Sequence, residues 1–291
     1  MNKEGQTLTQ LNKKKKDPKK IAGKFLIYLL MAFFLLITLY PIIWMVSGSL
    51  KGENEFYSNV WGLPQSAHLE NYVAAWKKAG MGTKYLNSIL TTGAVLCLLI
   101  PVNCCAAYAL ARVNFKGKRA ILNYLLIGIM IPAGVLAMPV FTVVNDFGLV
   151  NTRLGLVLVY SAQAIAFGMY IMRGFFISLP RSLEEAAMLD GCNRFQSFIH
   201  VILPLAIPGL VTQIIFSGLS VWNEYIRASL IIRAPKLQTL PLGMVAFSTM
   251  ENNNYPQMFA ALTMTTLPMV IVYLLCQRAF QKGVTAGAVK G

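Results

Sequence analysis

The most specific chemistry in this 291-residue chain is carried by one polar stretch, Ser182–Pro204, which reads SLEEAAMLDGCNRFQSFIHVILP. Ser182-x-x-Glu185 has the spacing of a capping box, in which the Ser oxygen accepts from the third helical N–H and the Glu side chain reaches back. Glu184 and Glu185 then lie at the positive end of a helix dipole, where carboxylates are favoured. Gly191 follows as a natural left-handed stop, and Asn193-x-x-Gln196 opens a second helix with a similar cap. Phe195, Phe198, Ile199 and Ile202 recur at helical spacing as an apolar stripe. Pro204 closes the unit. Ala186 and Ala187 leave a shallow surface beside the two carboxylates, and such a surface lets a partner's groove approach closely. The chemistry this pattern offers is docking of a soluble partner. An ordinary helical loop is the alternative reading of the same residues.

Bond-breaking chemistry finds no comparable support. His68 and His200 are the only histidines, and the topology below puts them on opposite sides of a membrane, so they share no metal or acid–base site. His200 reads as an interfacial polar residue. Cys97, Cys104, Cys105, Cys192 and Cys276 show no metal-ligand spacing, and adjacent Cys104 and Cys105 point to different helix faces. They read as small apolar fillers. No G-x-x-x-x-G-K-S/T occurs, so the phosphate cradle of a nucleotide-driven engine is missing. No catalytic residue, metal or cofactor is assigned to this chain.

The elements that hold the loop are membrane helices. Hydrophobic residues make up 56% of the chain and charged ones 13%, against about 25% charged in soluble domains. A span needs about 20 apolar residues, and six segments qualify: Phe25–Val46, Tyr85–Ala111, Ile121–Val143, Leu154–Met172, Leu205–Trp222 and Met258–Gln277. With the N-terminus inside, 18 of the 26 Lys and Arg fall in inside segments, which the positive-inside rule favours. Both termini and the polar helix pair are then cytoplasmic. The run Lys13–Lys16 with Lys19 and Lys20 reads as a topology anchor that touches anionic membrane lipid, not as a nucleic-acid arm. A retained first helix, rather than a cleaved leader, follows it. The long outer segments, Lys51–Lys84 and Asn223–Gln257, either cap the bundle or meet an external partner, and Asn71–Lys78 has the pattern of a short helix.

None of the six segments contains Asp, Glu, Lys, Arg or His. Ion-coupled carriers depend on such groups, so an autonomous secondary carrier or channel for a small polar solute is the weaker alternative. Pro41, Pro101, Pro132, Pro139 and Pro208 are candidate kinks. Asn103, Asn123 and Gln163 are expected to face the bundle interior, where an amide finds partners.

Glu185-Ala186-Ala187, three residues, Gly191, nine residues, Val201, one residue and Leu203-Pro204 resemble the EAA loop of ABC importer permeases, EAA-x3-G-x9-I-x-L-P. Val201 in place of Ile is the one departure. Tyr108–Lys118 (YALARVNFKGK), Trp222-Asn223-Glu224-Tyr225 and the ending Gly283–Gly291 extend the likeness over nearly the whole chain. The chain is thus similar to carbohydrate ABC importer permeases of the maltose-type second-subunit kind. The resemblance implies an all-α integral membrane protein with the type I importer bundle of six transmembrane helices and cytoplasmic termini. It implies a basic cytoplasmic tail (1–24), a first helix (25–46), an extracytoplasmic segment (47–84), a transmembrane core (85–278) with its coupling loop at 182–204, and a cytoplasmic C-terminal tail (279–291). Carried over residue by residue, Glu184, Glu185, Ala186, Ala187, Gly191, Leu203 and Pro204 form the ATPase-coupling loop. The implied partners are a second, non-identical permease, a cytoplasmic ABC ATPase dimer that uses the ATP, and an extracytoplasmic sugar-binding protein. The implied cargo is a sugar or oligosaccharide. Trp44 and Tyr108 are as good packing residues as sugar contacts, so no sugar ligand is assigned.

Overall fold

The computed structural model describes residues 18–132, 134–247 and 254–288. The basic run Lys13–Lys16 and the last three residues of the tail lie outside them. The elements, in order, are α1 (Pro18–Ser49), α2 (Glu53–Ser58), α3 (Glu70–Ala79), α4 (Met81–Arg112), α5 (Lys118–Met130), α6 (Ala137–Asp146) and α7 (Arg153–Ser178). After them come α8 (Ser182–Leu189), α9 (Arg194–Ser197), a π turn (Phe198–Ile202), α10 (Leu203–Leu205), α11 (Ile207–Trp222), α12 (Ile226–Ile231), α13 (Leu240–Gly243) and α14 (Tyr255–Ala288). Every regular element among the described residues is helical.

Four single helices are long and apolar enough to cross a membrane: Gly23–Ser49, Met81–Arg112, Arg153–Ser178 and Tyr255–Arg278. A fifth crossing is made if Arg194–Leu205 and Ile207–Trp222, bent by 72° at Ala206, count as one. The expected continuous span over Ile121–Val143 does not form, because α5 stops at Met130 and α6 starts at Ala137. Ile131 precedes Pro132 and is extended, at φ −76° and ψ 121°. The proline ring disfavours the helical region for the residue before it, so the helix ends there.

Three buried clusters stack along the bundle. At one end, called here the loop end, Tyr108, Met172, Phe176, Phe198, Ile202 and Ala206 pack together. Val95, Leu156, Tyr160 and Ile231 belong to a second cluster. Met81, Trp222, Leu240, Phe247, Ala260 and Ala261 join α4, α11, α13 and α14 at the opposite, cap end. Between the ends, Asn103 of α4 and Gln213 of α11 are fully buried. They close over Gly168 of α7, where an added Cβ would collide with both amide side chains. That glycine is the condition for α4, α7 and α11 to meet. Asn103 therefore faces inward as its sequence suggests. Asn123 and Gln163 do not: both are exposed.

The cap end is tied by buried polar groups. Lys51 is fully buried, and its Nζ donates to the carbonyls of Asn59 (2.5 Å) and Val60 (3.3 Å). Asn71 Nδ2, on α3, donates to the carbonyls of Ser49 (2.9 Å) and Lys51 (2.8 Å). Arg153 donates to Asn87 Oδ1 at 2.7 Å, and Asn87 Nδ2 donates to the carbonyls of Lys236 and Gln238. Both long outer segments thus fold over the bundle as a structured cover. The apolar residues of α1 from Phe25 to Ile43 are largely exposed, and its anchor lies at the cap end. There Trp44 meets Phe259 edge-on at 4.9 Å and stacks on Trp61 at 5.6 Å.

Gly168→Val is expected to destabilise the fold by about 1–3 kcal/mol through overpacking. Thermal unfolding of detergent-solubilised protein measures it; an unchanged melting temperature would place the meeting of the three helices elsewhere.

Candidate functional site

The polar helix pair is built by local backbone rules. Arg181 is already helical, at φ −66° and ψ −28°. The amides of Glu184 and Glu185 both reach its carbonyl, at 3.0 and 3.1 Å. The chain enters α8 one residue earlier than the Ser182-x-x-Glu185 pattern suggests, so Ser182 lies inside the first turn and makes no cap. The helix ends as expected from the glycine. Gly191 has φ +89°, Gly191 N–H donates to the Met188 carbonyl (3.1 Å), and Cys192 N–H donates to that of Ala187 (3.0 Å). This pair of bonds is the Schellman motif, which requires a left-handed residue after the helix.

The second cap forms as its sequence indicates. Gln196 N–H donates to Asn193 Oδ1 (2.9 Å), and Asn193 N–H donates to Gln196 Oε1 (2.8 Å). The apolar stripe then splits. Phe198 and Ile202 are buried, whereas Phe195 is 64% exposed and Ile199 also faces out. The π turn at Phe198–Ile202 shifts the helical phase, which keeps the i, i+4 pair in the core. Phe198 lies 4.5 Å from the Tyr108 ring and 6.0 Å from that of Phe176, so the π turn that continues α9 is clamped onto α4 and α7.

The two neighbouring carboxylates have opposite roles. Glu184 is buried, with Oε1 3.1 Å from Nε of Arg112. Arg112, the last residue of α4, also donates from Nη2 to the Leu179 carbonyl at 2.7 Å. One guanidinium therefore joins the end of α4, the end of α7 and the first turn of α8. Glu185, Ala186 and Gly191 are exposed on the other face, Ala187 is buried, Leu203 is partly buried and Pro204 is exposed. Met188 and Leu189 extend the exposed face, Leu189 being 89% exposed. The structure thus brings Glu185, Ala186 and Gly191 together on one outward surface. It turns Glu184 and Ala187 inward to hold that surface in place.

Sequence reasoning did not find Arg112 as the partner of Glu184, nor Leu189 and Phe195 as outward apolar knobs. The signal for Arg112 was its place at the end of a span, where a basic side chain suits the negative helix terminus. Cys104 is buried and Cys105 exposed, on different faces as expected. His200 is exposed, with Nδ1 3.0 Å from the Gln196 carbonyl. His68 is at the cap end with Nδ1 2.5 Å from Glu70 Oε1, and this hydrogen bond holds the Glu70 carboxyl below its ordinary pKa. Among the described residues no cluster of three metal-ligating side chains occurs.

Residues 103–286 match the family described as binding-protein-dependent transport system inner membrane component. The chain is 34% identical over 269 residues to the probable ABC transporter permease protein YurM of Bacillus subtilis (strain 168), covering 92% of this chain and 89% of that one. It is 34% identical over 260 residues to the diacetylchitobiose uptake system permease protein NgcG of Streptomyces coelicolor, covering 89% and 86%. A crystal structure of a bacterial ABC transporter involved in import of the acidic polysaccharide alginate contains a chain that superposes with a TM-score of 0.77. The identity there is 27%, over 91% of this chain and 98% of that one.

Arg112→Ala leaves Glu184 buried without its cation, and loss of one partner from a buried pair costs about 3–5 kcal/mol. Glu185→Ala, on the exposed face, is expected to change stability by no more than about 0.5 kcal/mol. Melting temperatures of the two variants in detergent distinguish the roles; equal shifts would contradict the division of labour.

Proposed function

The chain belongs to the family of binding-protein-dependent transport system inner membrane components, and from that premise we propose that it is one permease subunit of a sugar-importing ABC transporter. It spans the cell membrane several times. The observation that carries the proposal is the outward face formed by Glu185, Ala186, Leu189 and Gly191, fixed from behind by the Arg112–Glu184 pair. A surface that receives force must not yield. The Schellman turn, the Asn193–Gln196 capping box and the Phe198–Tyr108 contact all stiffen it. A groove on a separate ATPase subunit is the natural receiver for such a helix.

In this reading the bundle makes six crossings, with α5 and α6 together as the third, broken one. The loop end and both termini are cytoplasmic, in line with the excess of Lys and Arg assigned there. Closure of an ATPase dimer moves α8 and α9, and the move passes through Ala206 into α11. A second, non-identical permease completes the pathway, and an extracytoplasmic sugar-binding protein delivers the cargo to the cap end. Relatives with oligosaccharide uptake in their names support a carbohydrate cargo. ATP acts only on the partner, and lipid covers the exposed apolar residues of α1 and α5. Leu203 and Pro204 belong to the coupling loop as the joint between α9 and α11 rather than as contact residues.

An autonomous carrier draws less support. The ionisable groups in the long helices lie near their ends, as with Lys84, Arg112 and Arg153, not in the middle of the bundle where a coupling ion would bind.

Gly191→Val places a β-branched residue at φ +89°, a conformation such residues resist. Uptake by the assembled importer is expected to fall at least tenfold while membrane insertion persists. The measurement pairs transport in membrane vesicles with co-purification of the ATPase; normal values for both would remove the coupling role. Purified alone, the chain is expected to hydrolyse no ATP, and measurable hydrolysis by it would overturn the assignment of the motor to another polypeptide.

A further inference from the structure

A cleft of about 290 Å³ opens between α7 and α11, lined by Tyr160, Gln163, Phe167, Phe216, Ser217 and Glu224 among others. It runs from the cap end towards the middle of the bundle, on the side where Gln163, Phe167 and Phe216 are exposed. Its size is at the lower end of the ~300–1,000 Å³ range of small-molecule sites. Phe167 and Phe216 form an edge-to-face pair with centroids 5.7 Å apart, so the exposed face of one ring is held by the edge of the other. Ser217 is only 3% exposed. Its hydroxyl and those of Ser220 and Gln163's amide have no side-chain hydrogen-bond partner among the described residues. Hydroxyls and an amide that line a cleft and are not used by the protein can bond the polar rim of a ligand.

The electrostatics of the cleft select the ligand's charge. Its one ionisable carboxylate, Glu224, is saturated by protein donors. Tyr160 Oη donates to Oε2 (2.8 Å), Arg227 N–H donates to Oε1 (3.0 Å) and Oε2 (3.2 Å), Ala228 N–H donates to Oε2 (3.1 Å), and Arg227 Nη1 donates to Oε1 (3.3 Å). Glu224 therefore fixes the Tyr160 wall and caps α12. No Lys or Arg lines the cleft, and the nearby Arg227 guanidinium is engaged by Glu224, so a uronate placed there would find no cation facing it. What remains is an aromatic face, an amide that both donates and accepts, and two hydroxyls. These match a neutral pyranose ring, apolar on its C–H face and hydroxylated at its rim.

We infer that this cleft is a subsite for one neutral sugar ring on this chain, with Phe167 stacking on it and Gln163, Ser217 and Ser220 bonding its hydroxyls, and that it excludes acidic sugars. The inference rests on the importer reading for its biological setting, but the binding it asserts is read independently of coupling.

The test uses the assembled permease–ATPase complex in nanodiscs, without binding protein, and saturation-transfer NMR with maltose, cellobiose and digalacturonate at millimolar concentration as probes. The neutral disaccharides are expected to receive saturation and digalacturonate none. Phe167→Ala and Gln163→Ala are expected to weaken the neutral signal about tenfold, equivalent to about 1.4 kcal/mol. Leu158→Ala, on the same helix but outside the cleft, is the control that leaves it intact. Equal transfer in the wild type and Phe167→Ala, or transfer to digalacturonate as strong as to the neutral sugars, overturns the subsite. So does release of the second permease by Phe167→Ala, which would make the cleft a seat for that subunit. Failure of the wild-type chain to recruit the ATPase would instead break the importer reading, and saturation transfer from the permease to the sugars would still decide the cleft.

Discussion

The Arg112–Glu184 pair is the constraint on which the loop end depends. Two opposite charges are withdrawn from water within 3.1 Å of each other, where the end of α4 meets the consecutive helices α7 and α8. A buried charge is tolerated only when paired, so neither α4 nor α8 can drift without exposing or stranding one of them. The Leu179 carbonyl, also bound by Arg112, ties in the exit of α7. The aromatic cluster of Tyr108, Phe176 and Phe198 packs beside this polar knot and adds apolar contact to it. The outward residues of α8 are therefore held from the inside, which leaves them free to serve a partner.

The bundle behind the loop obeys a second constraint, set by a missing side chain. Gly168 lets α4 and α11 bring Asn103 and Gln213 against α7. Small residues commonly govern how closely membrane helices approach; the two amides packed there are buried and make no hydrogen bond among the described residues. At the cap end the same economy is visible in Lys51, Asn71 and Asn87, whose buried polar atoms bond backbone carbonyls of the outer segments. The tied ends and the close-packed middle leave the cleft between α7 and α11 as open space.

The sequence made the local features legible because they depend on neighbours only. Gly191 as a left-handed stop, Asn193-x-x-Gln196 as a cap, and the short helix near Asn71–Lys78 are all present, the last as α3 over Glu70–Ala79. What escaped reading needed either phase or distant partners. Ser182 missed its cap because Arg181 had already turned helical. Asn123 lies on α5, which buries nothing within this chain, so an inward orientation had no interior to face. The inward turn of Glu184 follows from Arg112, more than 70 residues earlier, and no local pattern encodes that meeting. The broken third segment was signalled by Pro132, but apolar length alone hid the interruption.

The 72° angle at Ala206 has a mechanical consequence. A straight rod would deliver a push to its far end along the direction of the push. Two arms joined at a steep angle, with the short one clamped by Phe198 and Ile202 and the long one lying against α7, behave as a bell crank. On the proposed coupling, thrust arriving along α9 would leave α11 as a sideways swing, and the wall of the cleft that carries Phe216 and Ser217 would swing with it.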